Sequence, residues 1–128
     1  MTVLEQSKAR AQIVAALDGL TWDDRDGTEH TIRARPTQPP TAQPLDCWPQ
    51  WDHTTWLNAH GAQATTWNVL VVLPQKLPAD WGLEDRVASL VGLALRRLGP
   101  IDRAEPVGVA LAGAAGPTVP AVSITVTI

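Results

Sequence analysis

The chain has few of the residues that mark redox, secreted or metal-binding proteins. Its 128 residues include one cysteine and one methionine, and neither phenylalanine nor tyrosine. The single Cys47 excludes an internal disulfide, and no Cys and His residues have the spacing of a structural zinc site. The sequence therefore predicts a domain that folds on its hydrophobic core alone, with no metal and no cofactor.

Long apolar runs and a basic charge balance are also missing. No run approaches the roughly 20 apolar residues that a membrane-spanning helix needs, and the first residues lack a charged-then-apolar signal. The formal net charge is −3, so the chain lacks the excess of basic residues with which proteins bind a phosphate backbone. We expect a soluble, intracellular protein without membrane contact, whose main task is not nucleic-acid binding.

Motifs for catalysis are absent from the sequence. It contains no dinucleotide-binding, Walker A, nucleophile-elbow or zinc-protease pattern. Asp52 and His53 flank a predicted hairpin turn together with His60, but a metal would need a further ligand. Cys47 has no base near it in the sequence. We therefore predict that the protein is not an enzyme and has no catalytic or metal-binding residues.

The strongest pattern in the chain is a strand followed by a helix. Residues 67–73 are apolar and β-branched, and Pro74 closes them, which predicts a buried strand headed by Trp67 in the core. A helix begins after Asp80 and ends at Gly99 and Pro100. The residues predicted to form its apolar face are Leu83, Val87, Leu90, Val91, Ala94 and Leu98.

The amino-terminal part predicts a second helix and a small hairpin. Thr2 and Glu5 form a capping box, so we expect a helix from Val3 to Leu17 that Gly19 ends. Asp26 and Gly27 mark a turn, and residues 28–35 alternate as a half-exposed strand does.

Three further strands complete the predicted fold. Residues 50–57 and 64–73 form a hairpin, residues 104–111 form a weaker strand, and residues 122–128 alternate with one face in the core. The predicted fold class is therefore α+β, a single domain (residues 1–128) with a mostly antiparallel sheet flanked by two helices.

Residues 36–49 contain five prolines, a density that argues against regular structure. We expect a long loop, mobile in the free protein, whose Leu45 and Trp48 dock on a partner. Trp48, Trp51 and Trp56 are each equally compatible with a place in the core or in an interface. The predicted partner interface is therefore Leu45, Trp48, Trp51 and Trp56.

Short sequence tags along the whole chain resemble a known group of proteins. The tags follow an amphipathic amino-terminal helix and are D-C-W-P (46–49), W-N-V-L-V-V-L-P (67–74), A-D-W (79–81), L-G (98–99), E-P-V (105–107) and P-A-V-S-I-T-V (120–126). In this layout the chain resembles the tail terminators and related neck proteins of long-tailed actinobacterial phages.

The resemblance implies a structural ring protein of the virion neck, assembled in the host cytoplasm. Such a ring, usually hexameric, caps the tail tube, stops its polymerisation and joins the tail to the head. Its partners would be copies of itself, the tail tube protein and a head-side connector, while DNA passes through the lumen without specific binding. An acidic turn is the candidate for the lumen or rim, and its residues are Asp23, Asp24, Asp26 and Glu29.

Three alternatives to the tail terminator remain open, and one of them is a host-directed inhibitor that would act as a monomer on one cellular enzyme. A head-completion or connector protein of the same neck would share the size and composition of this chain. A small ligand-binding or partner-binding α+β domain would need a pocket with convergent polar groups.

Overall fold

The computed structural model describes residues 3–23, 27, 29–41, 43–56, 63–73, 81–110 and 118–128. Within these residues the chain forms two helices and seven strands. In chain order they are α1 (Val3–Leu17), β1 (Thr21–Asp23), β2 (Glu29–Thr31), β3 (Arg33–Ala34), β4 (Asp46–Trp56), β5 (Gln63–Val72), α2 (Trp81–Leu95), β6 (Ile101–Ala110) and β7 (Thr118–Thr127). The predicted α+β class is confirmed.

Five of these strands form one sheet in the order β3-β4-β5-β7-β6. The pairings β4–β5, β5–β7 and β7–β6 are antiparallel, while the short β3 runs parallel to the start of β4. β1 and β2 form a separate antiparallel hairpin. The sheet is therefore mostly antiparallel, as the sequence predicts.

The main core lies between the two helices and one face of this sheet. Ile13 and Leu17 of α1, and Val87, Val91 and Leu95 of α2, are fully buried. They pack in one cluster with alternate residues of the central strands. The sheet residues of this cluster are Cys47, Trp67, Val69, Val71, Val122, Ile124 and Val126. We call this side of the sheet the helix face and the other side the open face.

The first helix ends where its sequence predicts. α1 spans Val3–Leu17, and Gly19 follows with a φ of 83°. Glycine adopts this left-handed conformation without steric cost, so it reverses the chain at the helix end. The Gly19 amide then donates to the Ile32 carbonyl at 2.9 Å, which attaches the helix end to the segment before β3.

The predicted apolar face of α2 needs one correction. Val87 and Val91 are buried as expected, but Leu90 is only half-buried, and Leu95, which the sequence pattern omitted, is fully buried. Residues 87, 91 and 95 follow the i, i+4, i+8 row, so the centre of the buried stripe is rotated away from Leu90.

The predicted single strand of residues 28–35 is wrong, because it breaks at Ile32. Glu29–Thr31 pairs with β1, whereas Arg33–Ala34 joins the large sheet beside β4. Ile32 between them is fully buried, and its amide donates to Leu20 at 2.8 Å. Burial of this one side chain therefore separates the two short strands.

The prediction that prolines keep residues 36–49 out of regular structure is also wrong, because β4 begins at Asp46 and includes Pro49. A proline is tolerated in an edge strand, where its missing N–H removes no ladder hydrogen bond. β3 pairs only with Asp46 and Cys47, and the Pro49 carbonyl accepts from Arg10 Nη1 at 3.0 Å. Pro49 thus lies on the unpaired side of the strand.

Residues 36–45, here called the Pro-rich segment, cross one end of the open face. The segment leaves β3 at one edge of the sheet, and Gln38 Nε2 donates to the Ala110 carbonyl of β6 at the other edge, at 3.2 Å. At this end Trp48, Val72 and Val109 form a second buried cluster together with Val119 and Ala121.

The buried Asp46 carboxylate fixes the return of the Pro-rich segment to the sheet. Asp46 is 1% exposed, accepts a hydrogen bond from the Gln43 amide at 2.8 Å, and lies 3.3 Å from Arg33 Nε and 3.8 Å from Arg35 Nε. Leu45, with a φ of 69°, donates to the Val72 carbonyl at 2.8 Å. The described part of the predicted mobile loop is therefore bound into the domain at both ends.

Replacing Leu95 with alanine should destabilise the domain by about 2–5 kcal/mol, because the change leaves a cavity in the core. The matched control is Leu93→Ala, the same substitution on the same helix at a side chain that is 62% exposed. The control should change the free energy of unfolding by less than about 0.5 kcal/mol. Equal losses in urea denaturation would contradict the orientation of α2.

Two glycines should respond oppositely to alanine. A Cβ on Gly99 would lie 2.0 Å from the Thr127 carbonyl oxygen, whereas a Cβ on Gly92, inside α2, meets nothing within 4 Å. Gly99→Ala should therefore lower the melting temperature. Gly92→Ala should raise stability by up to about 1 kcal/mol, because alanine favours the helix. A neutral Gly99→Ala would show that the contact between the end of α2 and β7 is absent.

Candidate interaction surfaces

The outer edge of β4 is the most open part of the sheet. Beyond Cys47, no described strand pairs with its outer side. Asp52 is an extra residue in the register, because Trp51 pairs with Trp67 and His53 pairs with Thr66. Unpaired strand edges offer N–H and C=O groups to another chain, and prolines and bulges limit such pairing. Pro49 and this bulge protect the middle of the edge.

Two tryptophans project from the exposed half of β4. Trp51 is 49% exposed and Trp56 is 64% exposed. Trp51 lies on the helix face opposite Trp67, and the bulge brings Trp56, opposite Gln63, to the same face. Together with Gln6, Thr54 and Gln63 they line a concavity of about 470 Å³. We call Trp51 and Trp56 with this concavity the tryptophan surface.

The indole of Trp51 is held in place. Its Nε1 donates to Thr54 Oγ1 at 3.1 Å, and Thr54 Oγ1 lies 3.4 Å from Thr65 Oγ1 on the neighbouring strand. Arg10 of α1 lies 5.0 Å above the ring of Trp67, the cross-strand partner of Trp51. A side chain fixed before binding loses less conformational entropy when a partner arrives.

The structure divides the predicted interface of Leu45, Trp48, Trp51 and Trp56 into two pairs. Trp51 and Trp56 lie at the surface, as an interface requires. Leu45 and Trp48 are 9% and 2% exposed, so the prediction that they dock on a partner is wrong. Trp48 lies opposite Leu70 in the sheet and packs in the second buried cluster, where the Pro-rich segment crosses the open face.

The open face carries a polar groove that sequence reasoning missed. Its volume is about 360 Å³. Its lining includes Leu70 and the polar residues Gln38, Gln50, Asn68, Glu105 and Ser123. The only sequence pattern that could have indicated the groove is the occurrence of polar residues at alternate positions of β5 and β7. Such residues are usually read as the solvated face of a strand, and nothing in the pattern shows that they form a groove.

Hydrogen bonds link the polar side chains beside this groove across three strands. Asn68 Nδ2 donates to Asp52 Oδ1 at 3.1 Å, and Thr125 Oγ1 donates to Asn68 Oδ1 at 2.9 Å. His53 Nδ1 bonds Asp52 Oδ2, and this bond is the main reason that the pKa of Asp52 lies below its usual value; Asn68 and the charge of Arg103 act in the same direction. Asp52 is therefore a charged acceptor within a side-chain network.

No metal site forms among the described residues. Within them, no three His, Cys, Asp or Glu side chains group closely enough to hold an ion. Asp52 and His53 are hydrogen-bonded to one another, and His60 lies outside the described residues.

Half of the predicted acidic turn can be located. Asp23 and Glu29 are exposed and lie directly opposite each other in the β1–β2 register. Asp24 and Asp26 lie outside the described residues. A place for this turn at the lumen or rim of a ring stays a prediction.

The cysteine is buried in the main core. Cys47 is fully buried, and burial raises the pKa of its thiol far above the usual range, with a further increase from the neighbouring Asp46 carboxylate. Because the thiolate is the reactive form, this side chain packs and does not react.

Comparisons with known proteins give no relative. No protein family matches the chain, and no curated protein sequence or solved structure matches it at a significant level. Neither α1 nor α2 is long and apolar enough to cross a membrane.

Thiol labelling should show how well the core protects Cys47. The native protein should react with a maleimide at least about a hundredfold more slowly than the urea-unfolded chain, because only an open state exposes the thiol. A Thr55→Cys variant is the control, since residue 55 is exposed on the same strand, and its added thiol should react quickly. Rapid labelling of native Cys47 would contradict its burial.

Proposed function

We propose that the protein is a phage tail terminator, a non-catalytic ring protein that caps the tail tube, stops its polymerisation and joins the tail to the head. The observation that carries the proposal is the tryptophan surface on the open edge of β4. The resemblance of the sequence tags to tail terminators and neck proteins supplies the identity of the partner.

The tryptophan surface has the properties of a docking site for another protein. Tryptophan is enriched among the residues that contribute most to binding energy, especially where a rigid side chain fills a pocket on the partner. Trp51 and Trp56 expose about half or more of their surface although both belong to a strand of the main sheet. Burying them on a partner would remove a large apolar area from water.

In this proposal the tryptophan surface contacts the last ring of the tail tube. The protein forms a closed homo-oligomer, a hexamer, and DNA passes through its lumen without specific binding. A net charge of −3 per subunit supports weak contact with DNA, because each neutralised phosphate would add affinity. The protein would act in the virion neck after assembly in the host cytoplasm.

A head-completion or connector protein is the second candidate within the neck. The same tryptophan surface would then bind a head-side ring. Co-sedimentation with filled heads but not with tails would favour this candidate.

A small-molecule-binding domain is the candidate that the polar groove favours. Its amide, hydroxyl and carboxylate groups converge on a concave surface, which is how binding pockets obtain specificity. A metabolite that raises the melting temperature of the wild type, but not of an Asn68→Ala variant, would support this function.

The proposal predicts that truncating the tryptophans weakens tube capping without unfolding the domain. Trp51→Ala and Trp56→Ala should each weaken binding to purified tail tubes by about tenfold or more, the usual cost of losing a side chain that dominates an interface. Pelleting with tubes and tube lengths in electron micrographs measure the two effects. Thr55→Ala is the control, because Thr55 is exposed on the same strand but lies on the open face.

Three results would contradict this prediction. Failure of the wild type to bind the tube end, or binding without any effect on tube length, would refute the terminator function and favour the connector. Full binding by both tryptophan variants would place the contact elsewhere. Circular dichroism should show native melting for all three variants.

A further inference from the structure

We infer that subunits associate head to tail, with the acidic face of the β1–β2 hairpin of one copy bound, in the next copy, to the basic turn that follows α2. The inference rests on the proposed function only in that the protein works as a self-assembled ring. The hairpin face consists of Asp23, Glu29, Thr21 and Thr31, and the α2 face consists of Leu93, Arg96 and Arg97.

The hairpin presents two carboxylates side by side. Asp23 and Glu29 are cross-strand partners, and both are exposed. Like charges directly opposite each other destabilise a strand pair. The inner side of the hairpin is held by Trp22 and His30, whose rings stack with centroids 5.2 Å apart, and Trp22 packs against the main core. The acidic pair is therefore held on a fixed support.

The end of α2 presents the complementary charges around an apolar centre. Leu93 is 62% exposed, and Arg96 and Arg97 follow it by three and four residues, in the turn that begins where α2 ends at Leu95. The Arg96 amide still donates to the Gly92 carbonyl at 2.9 Å, which continues the helical pattern. Both arginines are exposed, and neither takes part in an ion pair within the described part of the chain.

The two faces fit each other chemically. Each guanidinium can take one carboxylate in a charge-assisted pair, which would relieve the repulsion between Asp23 and Glu29. The exposed Thr21 and Thr31 form the next cross-strand pair on the same side of the hairpin, and their methyl groups can receive Leu93. The nearby Arg33 and Arg35 are already directed at Asp46.

One copy cannot make this contact with itself, because the two faces lie at diagonal corners of the domain. The hairpin adjoins β3, which pairs with Asp46 and Cys47 at one end of the sheet. Gly99, just after α2, lies against Thr127 at the other end, where Thr66 pairs with both Thr127 and His53. From Cys47 to His53 is roughly 20 Å along the strand, and the five strands span roughly 19 Å across.

Two different surfaces at opposite corners give a heterologous contact. Such contacts continue from copy to copy and form a ring when the rotation closes. Edge pairing between strands is a weaker candidate for the same role, because Pro49 interrupts the part of β4 beyond β3 and Pro106 interrupts the edge strand β6. The inference places the acidic pair at the subunit boundary.

Charge reversal tests the inference directly. One variant carries Asp23→Arg and Glu29→Arg, and the other carries Arg96→Glu and Arg97→Glu. Each variant alone should self-associate at least about tenfold more weakly than the wild type, since equal charges then meet at the interface. An equimolar mixture should recover association, because every contact between the two variants joins opposite charges. Sedimentation velocity at about 0.1 M salt measures the constants.

Several results would overturn the inference. Either reversed variant alone could associate as strongly as the wild type, or the mixture could fail to recover association. The wild type could also stay monomeric up to about 1 mM. If Trp51→Ala loses association while the reversed variants keep it, the subunit contact lies at the tryptophan surface. Association should also weaken when salt rises to about 1 M, where the Debye length falls from about 10 Å to about 3 Å.

Two controls separate folding and function from the interface. Melting curves report whether a reversed variant is folded. A variant that does not fold is replaced by its charge-neutral counterpart, which is Asp23→Asn with Glu29→Gln or Arg96→Gln with Arg97→Gln. Recovery in the mixture without capping of tail tubes would retain the interface and reject the terminator function. If each reversed variant caps tail tubes on its own, the terminator function is retained and the interface is rejected.

Discussion

The packing of both helices on one face of the sheet determines how the other surfaces of the domain are built. Two 15-residue helices, each about 22 Å long, cover the helix face and bury its apolar residues. The open face receives no helix among the described residues. It is completed by the Pro-rich segment at one end and by hydrogen-bonded amide and hydroxyl side chains over the rest.

This arrangement also explains why β4 changes character along its length. Its first residues, including Trp48 and Pro49, are buried between β3, β5 and the Pro-rich segment, and Asp46 holds the entry to the strand. Trp51, just before the Asp52 bulge, and Trp56, beyond it, share the helix face but are exposed. The same strand therefore serves the core at one end and offers an interaction surface at the other.

Local patterns predicted most of the fold. The bounds of α1, the β4–β5 hairpin and the alternating last strand follow from capping, turn residues and periodicity, and the structure confirms them. The last strand begins at Thr118, four residues before its predicted start. Its Ser123 and Thr125, expected on a solvated face, are 4% and 5% exposed. β7 lies between β5 and β6, where neighbouring side chains cover small residues on either face.

The remaining differences depend on tertiary neighbours that no local pattern contains. Proline frequency alone could not show that Pro49 sits on an unpaired strand edge, nor could periodicity choose Leu95 over Leu90. For the candidate surfaces, residue type singled out four positions, but burial of Leu45 and Trp48 depends on the path of the Pro-rich segment. The groove was missed because its polar residues come from four strands and from that segment.

The central claim is that the exposed half of β4 contacts another protein, and hydrogen exchange on the complex tests it most directly. Purified tail tubes are added to the protein, and peptide-resolved amide exchange is compared with that of the free protein. The account predicts slower exchange in residues 50–56, with little change in residues 87–95, where α2 covers the sheet. Unchanged exchange in residues 50–56 on bound tubes, or protection confined to β6, would contradict it.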